Sequence, residues 1–142
     1  MEDVVEVFAK VFPSIPSKLL LIGDGPERSN IEQKCRELSM CDYIIFMGKQ
    51  EAVEEILSVC DLFILPSEKE SFGLSALEAS ASSLPVVASN IVGLKDSILN
   101  NITGKLFKVG DIQDLINSLD FFIYDKQARL KFGANGRQRV KD

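Results

Sequence analysis

The chain contains no histidine. That absence removes Ser-His-Asp and Cys-His nucleophiles and every histidine-ligated metal from this stretch, since each needs an imidazole to move a proton or donate a lone pair. Chemistry here falls to carboxylates, amides, hydroxyls, lysine and arginine. Cysteine is scarce: Cys35, Cys41 and Cys60 form no Cys-x-x-Cys pair, so neither a disulfide framework nor a zinc site is indicated, and Cys60 reads as a small core residue. No Asp-x-Asp triplet occurs, and the isolated acids Asp24, Asp61 and Asp111 read as turn or cap residues, so no metal is expected. There is no basic excess either. A net charge of −5 without a long basic block argues against nucleic acid, whose binding rests on clustered Lys and Arg neutralising phosphate. No apolar run approaches the roughly 20 residues that cross a bilayer. Met1 is followed by two acids rather than the basic and apolar regions of a secretory signal, which makes a cytoplasmic location the expectation.

What is present is enough for a core. With 142 residues, 46% of them hydrophobic, the expectation is one module over 1–142, because a chain of this size buries roughly 68–70% of its unfolded surface. Val4, Val7, Phe8, Val11 and Phe12 recur at helical spacing and predict a helix over 3–12, stopped by Pro13 and Pro16. Leu19 to Ile22 is a continuous apolar run ending in Gly23-Asp24-Gly25-Pro26, a buried strand entering a tight turn, with Pro26 suited to a first helical position. The alternation repeats: helix to about Ser39, strand 43–46, helix 51–59, strand 62–65, helix 72–82, strand 86–88, a short helix over 93–99, then the Asn100-Asn101 and Gly104 turn into a strand at Leu106-Phe107. Asp111 predicts an N-cap for a helix through Leu119, and a last helix spans 125–132. This order predicts an α/β, Rossmann-like three-layer domain with a mostly parallel sheet.

Ligands of such sheets bind beyond the carboxyl ends of the strands. The segment Pro66-Ser67-Glu68-Lys69-Glu70-Ser71-Phe72-Gly73-Leu74 lies at such an end and leads into a helix rich in small residues, Ser75 to Ala81. A helix start there offers unpaired N–H groups and a positive dipole end to a phosphate, and Gly73 admits close approach of a ligand to the backbone. Glu70 sits at the mouth, and Glu78, eight positions on, lies one to two turns down the helix. Ionised carboxylates only accept hydrogen bonds and suit the vicinal hydroxyls of sugars. On the carboxylates alone the plainer reading stands: Glu70 as a helix N-terminal acid favoured by the dipole, Glu78 as a solvated surface residue. A dinucleotide reading of Gly23-x-Gly25 fails at the third glycine, where Arg28 stands. Lys69, between two acids, reads as a solvated loop charge, and Phe121, Phe122 and Tyr124 as core or contact residues rather than a cofactor site.

Glu70-Ser-Phe-Gly-Leu-Ser-Ala-Leu-Glu78 resembles the Glu-x7-Glu signature of the retaining GT-B glycosyltransferases, group 1. Gly23-Asp24-Gly25-Pro26, Phe46-Met47-Gly48, Asp61 to Ser67, Pro85-Val86-Val87-Ala88, Thr103-Gly104 and Val109-Gly110-Asp111 fall in that family's order, so the resemblance covers nearly the whole chain. It implies the C-terminal, donor-binding half of a GT-B fold. It further implies that Glu70 contacts the donor sugar as the catalytic carboxylate, that Glu78 contacts the ribose, and that Ser71, Phe72, Gly73, Leu74 and Ser75 surround sugar and diphosphate. Gly48, Lys49 and Gln50 would lie beside the base. The donor implied is a nucleotide sugar, UDP-linked, with transfer that retains configuration and uses no metal or other cofactor. Phe46 to Gln50 and Ser67 to Gly73 are similar to the branch that transfers N-acetylglucosamine to malate, which implies UDP-N-acetylglucosamine or a related UDP-hexose.

Departures from the pattern bear on loop geometry: Ser80-Ala81-Ser82-Ser83 follows the second acid where the family carries a glycine, and Val92-Gly93-Leu94-Lys95-Asp96 replaces paired glycines and Pro-Glu. The family's first strand and its basic loop would precede Met1, as would the N-terminal acceptor-binding domain. An unpaired edge is therefore expected beside Leu19 to Ile22, and the isolated piece is expected to be inactive. A non-catalytic nucleotide-binding module and a nucleotide-sugar epimerase on the same scaffold are the alternatives.

Overall fold

The computed structural model describes residues 2–11, 15–23, 26–68 and 73–142. They form two compact units, Met1–Ala52 and Val53–Asp142.

In the first unit, α1 (Glu2–Val11) precedes β1 (Leu19–Ile22), α2 (Arg28–Glu37) and β2 (Ile44–Gly48). The two strands pair in parallel from Leu19↔Ile44 onward, with a register slip between Leu21 and Ile22 that brings Ile22 opposite Gly48. Gly48 is in the left-handed region, φ 67°, where a residue without Cβ carries no steric cost. Val5, Leu21, Ile31, Cys35, Met40 and Ile44 form the core here, with Phe8, Leu19 and Phe46 packed on it. A Glu6–Lys34 ion pair at 2.6 Å joins α1 to α2, and the Lys34 ammonium holds the Glu6 carboxyl below its ordinary range. Strand 43–46 thus extends further than predicted, through Met47 and Gly48. Pro26 and Glu27 lie in a turn, and α2 begins at Arg28; the ring's fixed φ is as acceptable in that turn as inside a helix. Among the described residues β1 pairs along one edge only, with β2.

The second unit runs α3 (Val53–Leu57), β3 (Phe63–Leu65), α4 (Leu74–Ala81), β4 (Val86–Ser89), α5 (Val92–Lys95), β5 (Gly104–Phe107), α6 (Ile112–Ile123) and α7 (Lys126–Lys141). Its sheet is parallel in the order β3-β4-β5. All four residues of β4 are buried, as expected of a strand with a neighbour on each side and helices against it. Leu57, Ala76, Ala79, Leu84, Val86, Ala88, Leu94 and Ile98 make the core. Cys60 is only partly buried and packs on its margin, whereas Cys35 of the first unit is the fully buried thiol; burial raises the thiol pKa of both. Gly104 belongs to β5, paired with Val86, rather than to the turn before it, and a Cβ there would stand 2.1 Å from the Val86 carbonyl oxygen.

Asp111 caps α6 by accepting from the Asp114 amide at 3.0 Å, and Asp125 caps α7 by accepting from Ala128 at 3.0 Å. Both helices outrun their predicted ends. α7 continues past Phe132 through Gly133, where a Cβ would stand 2.0 Å from the Ser83 carbonyl oxygen, and Gly136, which packs tightly on Ser80. Helices 51–59 and 93–99 are shorter than predicted, reduced to α3 and α5.

Candidate nucleotide-sugar site

β3 ends at Leu65, and α4 opens from Gly73. Gly73 is buried and holds φ 62°, ψ 42°, a left-handed conformation that would be strained for a residue with Cβ. Packing closes the same position, since a Cβ would meet Leu94 Cδ2 at 2.7 Å and Ser97 Oγ at 3.1 Å. The Gly73 carbonyl accepts from Leu77 N–H at 3.0 Å, which locks the turn to the helix.

Among the described residues α4 has no capping side chain at its start, unlike α6 and α7, and like α7 it has no acid in its first turn. A helix leaves its leading N–H groups without intrahelical partners and carries a partial positive charge at that end. Where a capping oxygen is missing, those donors fall to water or to an anionic ligand.

The face that α4 presents follows from its spacing. Ala76, Ala79 and Ser80 are buried, while Leu74, Ser75 and Glu78 are exposed, with Leu74 at 63%. Positions 74 and 78 are one turn apart, and 75 and 78 are three apart, so these side chains share one open stripe above the helix start. The structure therefore brings Leu74, Ser75 and Glu78 together beside Gly73. Glu70, Ser71 and Phe72, predicted for the same entrance, lie outside the described residues.

In the first unit, Gly48, Lys49 and Gln50 form the exit from β2. Gly23 N–H donates to the Gly48 carbonyl at 2.7 Å, and the Gln50 side-chain amide turns back to the Met47 carbonyl, which fixes the loop while Lys49 stays exposed. Arg28, at the start of α2, places its guanidinium 5.2 Å from the Phe46 ring centroid and bonds Glu32 at 2.9 Å. Residues 24 and 25 of the glycine turn lie outside the described residues.

Sequence reasoning missed what stands behind Gly73. Leu94 and Ser97 form its wall, and Arg139 of α7 donates to the carbonyls of Asp96 at 2.7 Å and Ser97 at 3.3 Å. Nothing in the periodicity of 92–99 or of 133–141 marks these residues.

Parallel strands that feed helices, with a glycine-led helix start at a strand's carboxyl end, define the chain as a Rossmann-like α/β domain of the kind that makes up GT-B folds. The chain belongs to the family described as Glycosyl transferases group 1, which matches residues 1–139. It is 39% identical to N-acetyl-alpha-D-glucosaminyl L-malate synthase of Bacillus anthracis over 99% of its own length and 37% of that enzyme's. Sucrose-phosphate synthase from Thermosynechococcus elongatus superposes with a TM-score of 0.88 at 31% identity, covering 99% of this chain and 37% of that one. Anabaena HepE, solved in complex with UDP and glucose, has the same fold: TM-score 0.91 at 22% identity, over 99% of this chain and 39% of that one. The chain thus spans little more than a third of these proteins. No helix among its described residues is long and apolar enough to cross a membrane.

Proposed function

We propose that this chain is the donor-binding domain, over 1–142, of a retaining glycosyltransferase that takes a UDP-sugar, with UDP-N-acetylglucosamine or a related UDP-hexose as the donor. The observation that carries the proposal is the α4 entrance: a helix start led by Gly73 with no side-chain cap among the described residues, and Glu78 one turn down on the same open stripe as Leu74 and Ser75. The first-turn amides suit a diphosphate, and the Glu78 carboxylate suits a ribose hydroxyl pair. In this reading Glu70, Ser71 and Phe72 complete the sugar subsite, Glu70 acts as the catalytic carboxylate, and Gly48, Lys49 and Gln50 border the base. Family membership supports it, as does the likeness to an N-acetylglucosaminyl enzyme and to a fold seen with UDP.

The reading assigns no metal or other cofactor. Charge that develops on the leaving diphosphate would be met by the helix amides, donors whose orientation is set before reaction. A separate acceptor-binding domain, placed N-terminal to this one, would hold the acceptor whose hydroxyl is the nucleophile and frame the reaction centre, and a cytoplasmic location fits the use of a nucleotide sugar.

Isothermal titration with UDP tests the ribose assignment. Glu78→Ala should weaken binding by about 1.5–3 kcal/mol, the loss of a charge-assisted hydrogen-bond partner. Equal affinity in the two proteins would remove Glu78 from the site.

A further inference from the structure

We infer that Arg139 is a positioning residue for the α4 entrance, acting through α5 on Gly73; for the consequence on donor affinity this rests on the reading above. α5 is a single turn, Val92–Lys95, far too short to persist on its own propensity. It is held by its surroundings: Leu94 and Ile98 are fully buried, and Ile98 N–H donates to the Leu94 carbonyl at 2.9 Å. The carbonyls that follow, those of Asp96 and Ser97, receive the two arms of the Arg139 guanidinium at 2.7 and 3.3 Å. A cation at a helix's carboxyl end is favoured by the dipole, and a planar fork bonding two carbonyls fixes orientation as well as distance.

This grip reaches the site because Gly73 rests directly on the gripped segment. The space a Cβ would occupy is filled by Leu94 Cδ2 and Ser97 Oγ, so the position of α5 sets where the Gly73 peptide lies. The Gly73 carbonyl in turn anchors the Leu77 amide of α4. α7 is fixed to α4 as well, with Gly133 against the Ser83 backbone and Gly136 against Ser80. One helix therefore holds both α4 and the wall behind its entrance, and Arg139 is the link to the wall.

Hydrogen exchange on the wild-type chain, Arg139→Ala and Arg139→Lys tests this, with UDP titrations alongside. In Arg139→Ala the amides of Ile98 and Leu77 should exchange about tenfold faster, while the Leu115 amide, bonded to Asp111 in α6, stays near the wild-type rate. Arg139→Lys, which keeps the charge but loses the planar fork, should fall between, and UDP affinity should drop about fivefold in the alanine variant, as a small misplacement of binding groups would cause. Acceleration at Ile98 with Leu77 unchanged would reduce Arg139 to a cap of α5 and overturn the inference. Equal acceleration at Leu115 would show a general loss of stability and overturn it too, as would unchanged UDP affinity in a wild-type chain that binds UDP. A wild-type chain that binds no UDP would instead overturn the donor reading, and the exchange pattern alone would then decide the coupling.

Discussion

Ser80 shows how closely α4 is built against α7. It is 2% exposed, and its hydroxyl has no hydrogen-bond partner among the described residues. An unsatisfied buried hydroxyl opposes folding, whereas a methyl group in the same place keeps the packing. Ser80→Ala should therefore raise stability by about 1 kcal/mol in urea denaturation. A loss of that size would mean the hydroxyl has a partner after all. The residue lies on the opposite face of α4 from Glu78, so UDP binding should be unaffected by the change. At this scale the sequence was legible where position alone decides, as for Glu78, read as lying down the helix that follows Gly73; the open stripe it shares with Leu74 and Ser75 emerged only from the structure. The sequence was silent about Arg139, whose bonds to Asp96 and Ser97 span 43 and 42 positions and leave no local signal.

Among the elements, strands were the most legible. The Val86 to Ala88 run read as a buried parallel strand because its neighbours cover it, so no polar alternation interrupts it. Leu19 to Ile22 read the same way and is a parallel strand, but with one paired edge among the described residues only its Leu21 is buried. Asp111 was legible as a cap because a side-chain oxygen meeting an amide three residues on is a local interaction. α7 was not, beyond Phe132. Its contacts there come from Gly133 and Gly136 and from arginine guanidinium groups bonded to carbonyls, which carry no hydrophobic period, and its stability comes from contact with α4 and from bonds such as Arg129 to the Phe122 and Ile123 carbonyls. Gly133→Ala tests this packing. Helix propensity alone would favour alanine by about 1 kcal/mol. The added Cβ would stand 2.0 Å from the Ser83 carbonyl oxygen, a backbone atom that cannot swing aside. The clash should win, with a net destabilisation of about 1–3 kcal/mol or more in chemical denaturation. A stabilised variant would show that α7 does not pack on α4 in this way.

For the whole molecule, family membership rests on a match over residues 1–139, and the chain spans 37% of the length of its N-acetylglucosaminyl malate synthase relative. What the structure shows is a helix start led by Gly73 and backed by Leu94 and Ser97, with Glu78 on the exposed face of the same helix. The most direct measurement is a map of amide chemical-shift changes during titration with UDP-N-acetylglucosamine and, separately, with UDP. Both ligands should move the amides of Gly73 to Glu78 and of Gly48 to Gln50, and the sugar-bearing ligand should add changes at Glu70 to Phe72. Shifts confined to other parts of the chain, or none at concentrations well above those at which nucleotide-sugar sites fill, would contradict the assignment of the α4 entrance as the donor site.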